Sequence, residues 1–71
     1  MVKRKRQLLA KNVRRLRRAR GWTQYDLAEA ANVRQALISQ IENGAANPTL
    51  ETLERLAAAF GAKLADLFAT E

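Results

Sequence analysis

The sequence predicts an all-α fold, a compact bundle of five helices. Three observations lead there. Apolar residues recur at spacings of three and four, and no stretch alternates with the period of two that a half-buried strand needs. Gly21, Gly44 and Gly61 each fall where such a periodic stretch stops, which is where a helix places a left-handed residue. Finally, the stretch from Thr23 to Gly44, TQYDLAEAANVRQALISQIENG, reads as two short helices joined by a tight turn. The rest of the chain can be understood as support for it.

The first helix is expected from about Gln7 to Arg20, with Leu9, Val13 and Leu16 as its buried stripe and Arg17 on the edge of that stripe. Ahead of it, Lys3-Arg4-Lys5-Arg6 form a basic arm, either disordered or the first turn of the same helix. Arg14, Arg15, Arg17, Arg18 and Arg20 complement the negative end of the helix dipole, a structural role that needs no ligand.

The second helix opens at Thr23, an N-cap whose hydroxyl accepts an otherwise unsatisfied backbone N–H. Asp26, three positions on, completes a variant capping box, and Trp22 with Leu27 has the spacing of a hydrophobic staple. Asn32 stops this helix, because asparagine tolerates the left-handed conformation better than any residue but glycine. The third helix is expected from about Gln35 to Glu42. It turns Ile38 and Ile41, with Leu37 beside them, inward and Gln35, Ala36, Ser39 and Gln40 outward. The small Ala28 lets the two helices approach closely.

Pro48 holds Asn47 extended, and Thr49 caps a fourth helix over about Leu50–Phe60. Its core face is Leu50, Leu53, Leu56, Ala57 and Phe60. A short fifth helix, about Leu64–Ala69, offers Leu64, Leu67 and Phe68 to the core or to a second subunit.

Composition narrows the chemistry. The 71 residues suit one small domain, and a domain of this size buries only about 60% of the surface its unfolded chain exposes. There is no cysteine and no histidine, which removes disulfides and argues against zinc and against histidine-based acid–base catalysis. The carboxylates are scattered over helix surfaces with no nucleophile or base beside them. No enzyme activity, metal or cofactor is therefore expected. No apolar run approaches the roughly 20 residues of a membrane span, and none follows the basic N-terminus as a secretory signal requires. The expected setting is the cytoplasm. The net charge of +6 conceals an asymmetry: residues 1–22 carry ten of the thirteen Lys and Arg and no acid, whereas the remainder carries three bases and seven acids. Such a division points to a polyanionic partner for the first part.

The Thr23–Gly44 segment resembles the helix-turn-helix of the phage-repressor family (Cro/cI, or XRE type). Gln24 opens the motif, followed by Leu27-Ala28, Asn32-Val33, Ile38 and the closing Ile41-Glu42-Asn43-Gly44. Upstream, Leu16-Arg17 and Gly21-Trp22-Thr23-Gln24 match; downstream, Asn47-Pro48-Thr49-Leu50, Leu53, Leu56-Ala57, Phe60-Gly61 and Leu67-Phe68 match. The resemblance divides the chain into a basic arm or helix extension (1–8), a domain (9–68) and a tail (69–71).

It implies a lambda-repressor-like DNA-binding domain, bacterial or phage-encoded and nucleoid-associated. The implied function is that of a sequence-specific transcriptional regulator of double-stranded DNA, a small dimeric repressor or autoregulator that reads the major groove of a palindromic operator. Gln35, Ala36, Ser39 and Gln40 occupy the base-reading positions. A glutamine amide can bind adenine bidentately, and an alanine can touch a thymine methyl. Thr23, Gln24, Arg34, Asn43 and Gly44 are the implied phosphate contacts, with Lys3, Arg4, Lys5 and Arg6 lying along the backbone or reaching a groove. Arg17 and Glu42 are implied as a structural ion pair, and Leu64, Leu67 and Phe68 as a homodimer surface. The alternative is an antitoxin-type module that binds a partner toxin and represses its own operon. Two departures stand out. Ala45 and Ala46 follow Asn43-Gly44 where the family often has Lys or Arg, and Arg34 replaces the usual Ser or Thr cap, so an irregular start of the third helix is expected.

Overall fold

Four α-helices and one short 3-10 helix make up the regular structure of residues 2–70, which are those the computed structural model describes. Helix α1 spans Lys3–Ala19, α2 Gln24–Ala31, α3 Gln35–Glu42 and α4 Leu50–Phe60; the 3-10 helix spans Leu64–Phe68. The outer residues of the expected arm and tail, Met1 and Glu71, lie outside the described residues.

The structure corrects the five-helix count. The last element is too short for a stable α-helix and winds more tightly, with Asp66 N–H bonded to the Lys63 carbonyl at 2.9 Å, the i→i+3 pattern of a 3-10 turn. The Asp66 carboxylate reaches back to accept from the Lys63 N–H, also at 2.9 Å. At the other end of the chain, α1 starts at Lys3, so Lys3–Arg6 is the first turn of a continuous helix. The Arg6 N–H already bonds the Val2 carbonyl at 3.1 Å.

One stop signal ends all four α-helices. The first residue past α2 and α4, and the second past α1 and α3, takes positive φ, and two backfolded N–H bonds capture carbonyls of the last turn, the Schellman arrangement. For α1 these are Gly21 to Arg18 at 2.9 Å and Trp22 to Arg17 at 3.1 Å; for α2 they are Asn32 to Glu29 at 3.2 Å and Val33 to Ala28 at 3.0 Å. Glycine fills the left-handed position three times. At the α2–α3 turn it is Asn32, with φ 56° and ψ 49°.

The core lies between these helices. Leu9, Val13, Leu27, Ile38, Ile41, Leu56 and Leu67 are fully buried, and Leu53, Ala57 and Phe60 nearly so. Helix α1 packs on α3 and on the 3-10 helix; α2 packs on α3 and α4; α4 also meets the 3-10 helix. Leu50, expected on the core face of α4, is 60% exposed. It is the first helical residue, where the apolar stripe has run past the packed neighbours.

Two long-range ties hold the ends of the bundle together. Asn12 is buried in α1 and donates its amide to the carbonyls of Leu67 and Ala69, both at 3.0 Å. That satisfies a buried polar group and pins the 3-10 helix at once. Trp22 and Phe60 stack with centroids 6.1 Å apart, and the Arg20 guanidinium sits 5.1 Å from the Trp22 ring while donating to the Phe60 carbonyl.

Candidate nucleic-acid interface

Helix α2 is set by its own first residues. Thr23 Oγ1 accepts from the Asp26 N–H at 3.0 Å, and an Asp26 carboxylate oxygen accepts from the Thr23 N–H at 2.9 Å. This is the reciprocal capping box expected from the sequence. The tight Asn32 turn then carries the chain into α3, which packs on α2, and Ala28 and Ala31 of α2 are buried.

The front of α3 is open. Arg34 precedes it in an extended conformation and makes no side-chain cap. The helix nevertheless starts regularly, because the Arg34 carbonyl accepts from Leu37 at 3.1 Å and Ile38 at 3.2 Å. The guanidinium stays exposed. Behind it, Gln35, Ala36 and Gln40 are exposed, and Ser39 is half-buried. At 3.6 residues per turn these four fall within an arc of about 140°. Gln35 and Gln40 stand about 7.5 Å apart along the axis, roughly two base-pair steps. Ile38 and Ile41 point the other way, into the core.

The rear of α3 is locked. Glu42 is 2% exposed. Arg17 grips it bidentately, Nε to Oε2 at 2.6 Å and a terminal nitrogen to Oε1 at 3.0 Å. Arg17 also donates to the Trp22 carbonyl at 2.8 Å, joining α1, the entry to α2 and the end of α3. The hydrogen bond to Glu42 raises the Arg17 pKa, and the carboxylate charge adds to this against the opposing cost of burial. The guanidinium therefore stays charged. Arg14 donates to the Glu42 backbone carbonyl from the same side.

Gln24 belongs to this network too, which the sequence did not reveal. Its side-chain amide donates to Glu42 Oε1 at 3.1 Å. The Gln24 and Tyr25 N–H groups, at the start of α2, have no intrahelical partner. Thr23 and Asn43 are exposed, and Gly44 is half-buried. Leu67 is withdrawn from the expected dimer surface, since it is wholly buried; Leu64 and Phe68 remain half-buried against the core. Among the described residues no cluster of acidic side chains is arranged to hold a metal, and no helix is long and apolar enough to cross a membrane.

A family model described as Helix-turn-helix matches residues 13–67, which takes in α2, α3 and the Arg17–Glu42 pair. The chain belongs to the helix-turn-helix family. It is 41% identical over 59 residues to the HTH-type transcriptional regulator DdrOP3 of Deinococcus deserti, across 83% of this chain and 46% of that one. It is 39% identical over 62 residues to the HTH-type transcriptional regulator y4dJ of Sinorhizobium fredii, across 87% and 80%. Antitoxin HipB of Escherichia coli is 40% identical over 48 residues, 68% of this chain and 54% of that protein. The fold superposes on the restriction-modification controller protein C.AhdI from Aeromonas hydrophila with a TM-score of 0.85 and 27% identity, over 89% of this chain and 96% of that chain. The chain thus spans less than half the length of DdrOP3 and about half that of HipB.

Proposed function

We propose that this helix-turn-helix chain is the DNA-binding part of a transcriptional regulator and that α3 reads base edges in the major groove. One observation carries the reading: α3 is fixed at its rear by a buried carboxylate while two glutamines on its front face stay exposed. Rigid support of the reading side chains is what base discrimination demands, because a bidentate amide–adenine pair is geometrically exacting. Gln40 and Gln35 are the principal readers, Ala36 a contact for a thymine methyl, and Ser39 a rim contact. Thr23, the N-terminal backbone of α2 at Gln24, Arg34, Asn43 and Gly44 would bind phosphates and set the register.

The longest dimension of the domain is 27 Å. One turn of B-DNA is about 34 Å, so one copy suits one half-site and a two-fold dimer suits an inverted repeat. Leu64 and Phe68 are the surface we assign to that dimer. Such a protein would work in the cytoplasm on nucleoid DNA and needs no cofactor.

Selection of bound duplexes from a random pool at physiological salt tests this. A palindromic consensus is expected, with half-site centres about one turn apart. Gln40→Ala should then lose about 1–3 kcal/mol on the consensus and little on unrelated DNA. Equal loss on every sequence would remove Gln40 from the reading positions. The likeness to HipB favours a second reading, an antitoxin module that also represses its own operon. Co-purification with a small partner protein would favour it, whether or not a DNA consensus is also recovered.

A further inference from the structure

Asn43 and Gly44 are followed by Ala45-Ala46-Asn47-Pro48, a loop without a single cation. The basic residues of this chain are concentrated instead in α1, and α1 runs beside the Glu42–Gly44 segment that leads into that loop. A cleft of about 300 Å³ is bordered on one side by Gln7, Ala10 and Arg14 and on the other by Glu42, Asn43 and Gly44. Arg14 is half-buried there, and its guanidinium is positioned by the bond to the Glu42 carbonyl. That bond uses one of five guanidinium N–H donors. Gln7 and Lys3 are exposed and continue the same stripe toward the start of the helix, at the spacing that places residues on one face. Because Lys3–Arg6 is helical, these charges ride on a rod whose direction α1 packing fixes.

We propose that Lys3, Gln7 and Arg14 form a second phosphate clamp, which grips the DNA strand at Asn43-Gly44 and supplies from α1 the charge that the following loop lacks. This rests on the DNA-binding reading above. The occupant follows from charge: residues 1–22 contain no acid, and the carboxylate bordering the cleft, Glu42, is already paired with Arg17, so the ridge favours a polyanion. Arg14 has already given up its rotamer freedom to the Glu42 carbonyl, which lowers the ordering cost of a phosphate contact.

The test uses the full chain and measures affinity against salt concentration, on the selected operator and on an unrelated duplex. Gln7 is exposed, so its substitution spares the core. Gln7→Lys should tighten binding and steepen the slope of log affinity against log salt by about one. Gln7→Glu should weaken binding about threefold to tenfold on both duplexes, since a phosphate contact is blind to sequence. Arg14→Gln should act like Gln7→Glu. Lys63→Gln, ahead of the 3-10 helix, should leave affinity and slope unchanged. If the operator is selectively bound but both Gln7 variants keep wild-type affinity and slope, the clamp is wrong and the base-reading assignment stands. If the unaltered chain selects no duplex at all, both fall together.

Discussion

The two ends of α3 are built on opposite principles. At its rear, Glu42 is buried and accepts from Arg17 and Gln24, while its carbonyl accepts from Arg14. At its front, Arg34 offers no side-chain cap, and Gln35 and Ala36 face solvent. The helix is a cantilever, with buried charge fixing its last residue and open hydrogen-bonding capacity along the exposed face from Gln35 to Gln40. An eight-residue helix is too short to be stable alone. Its rigidity must therefore come from the rear, which leaves the front free for a ligand.

Breaking the rear should produce the largest effect. Glu42→Ala strands the Arg17 guanidinium, whose side chain is 12% exposed, without its carboxylate. The expected cost is about 3–5 kcal/mol, read as a lower urea midpoint at unchanged slope. Removing both charges is different in kind. Arg17→Met with Glu42→Leu should recover most of the loss, because no uncompensated charge stays buried. A cost below about 1 kcal/mol for Glu42→Ala would mean that water reaches Arg17 and that the rear is not locked electrostatically.

The turn that aims α3 comes next. Asn32 holds φ 56°, a left-handed conformation that costs an ordinary L-residue about 1–2 kcal/mol. Asn32→Ala should lose about that much stability and Asn32→Gly almost none. Equal loss in both would assign the role to the asparagine side chain and not to its backbone. The front should respond in the opposite sense. Arg34→Ser supplies the missing cap and should gain about 0.5–1 kcal/mol in thermal or urea unfolding. If Arg34 touches a phosphate, the same variant binds DNA with a salt slope shallower by about one. Stability and affinity moving apart would confirm that the front is left uncapped for function.

This contrast also explains what could be read in advance. The bounds of α2, α3 and α4 follow from caps and stop residues that act within about four positions, and such local signals are legible in sequence. The outward face of α3 follows from periodicity alone. The Arg17–Glu42 pair came only through family resemblance, since 25 positions separate the partners. Asn12, bonded to carbonyls 55 and 57 positions away, had no local signature, and neither did Gln24 reaching Glu42. Leu50 misled because periodicity reports which face of a helix is apolar, not where along its length the neighbours stop. The segment Leu64–Phe68 is likewise held by Asn12 and α4, contacts that no local pattern announces.

The smallest effect lies on the surface counterpart of the buried pair. Tyr25, the only tyrosine in the chain, donates its hydroxyl to Glu29 at 3.0 Å on the exposed surface. The bond to Glu29 raises the phenol pKa above its ordinary value, helped by the charges of Glu29 and Asp26. A group whose folded pKa is raised contributes stability that is complete below the ordinary value and lost as pH climbs through the raised one. Arg17 obeys the same sign rule, but its raised pKa keeps its pair intact well beyond the range in which the phenol titrates. Alkaline titration followed by phenolate absorbance should therefore show Tyr25 ionising above its ordinary pKa of about 10 while the fold persists. In Glu29→Gln the midpoint should fall back toward that value, with little change in the urea midpoint, because an exposed pair contributes little to stability. A midpoint that ignores Glu29→Gln would show that the bond does not persist in solution. A fold that collapses as Tyr25 ionises would show that the surface pair, and not Glu42 alone, holds α2 beneath α3.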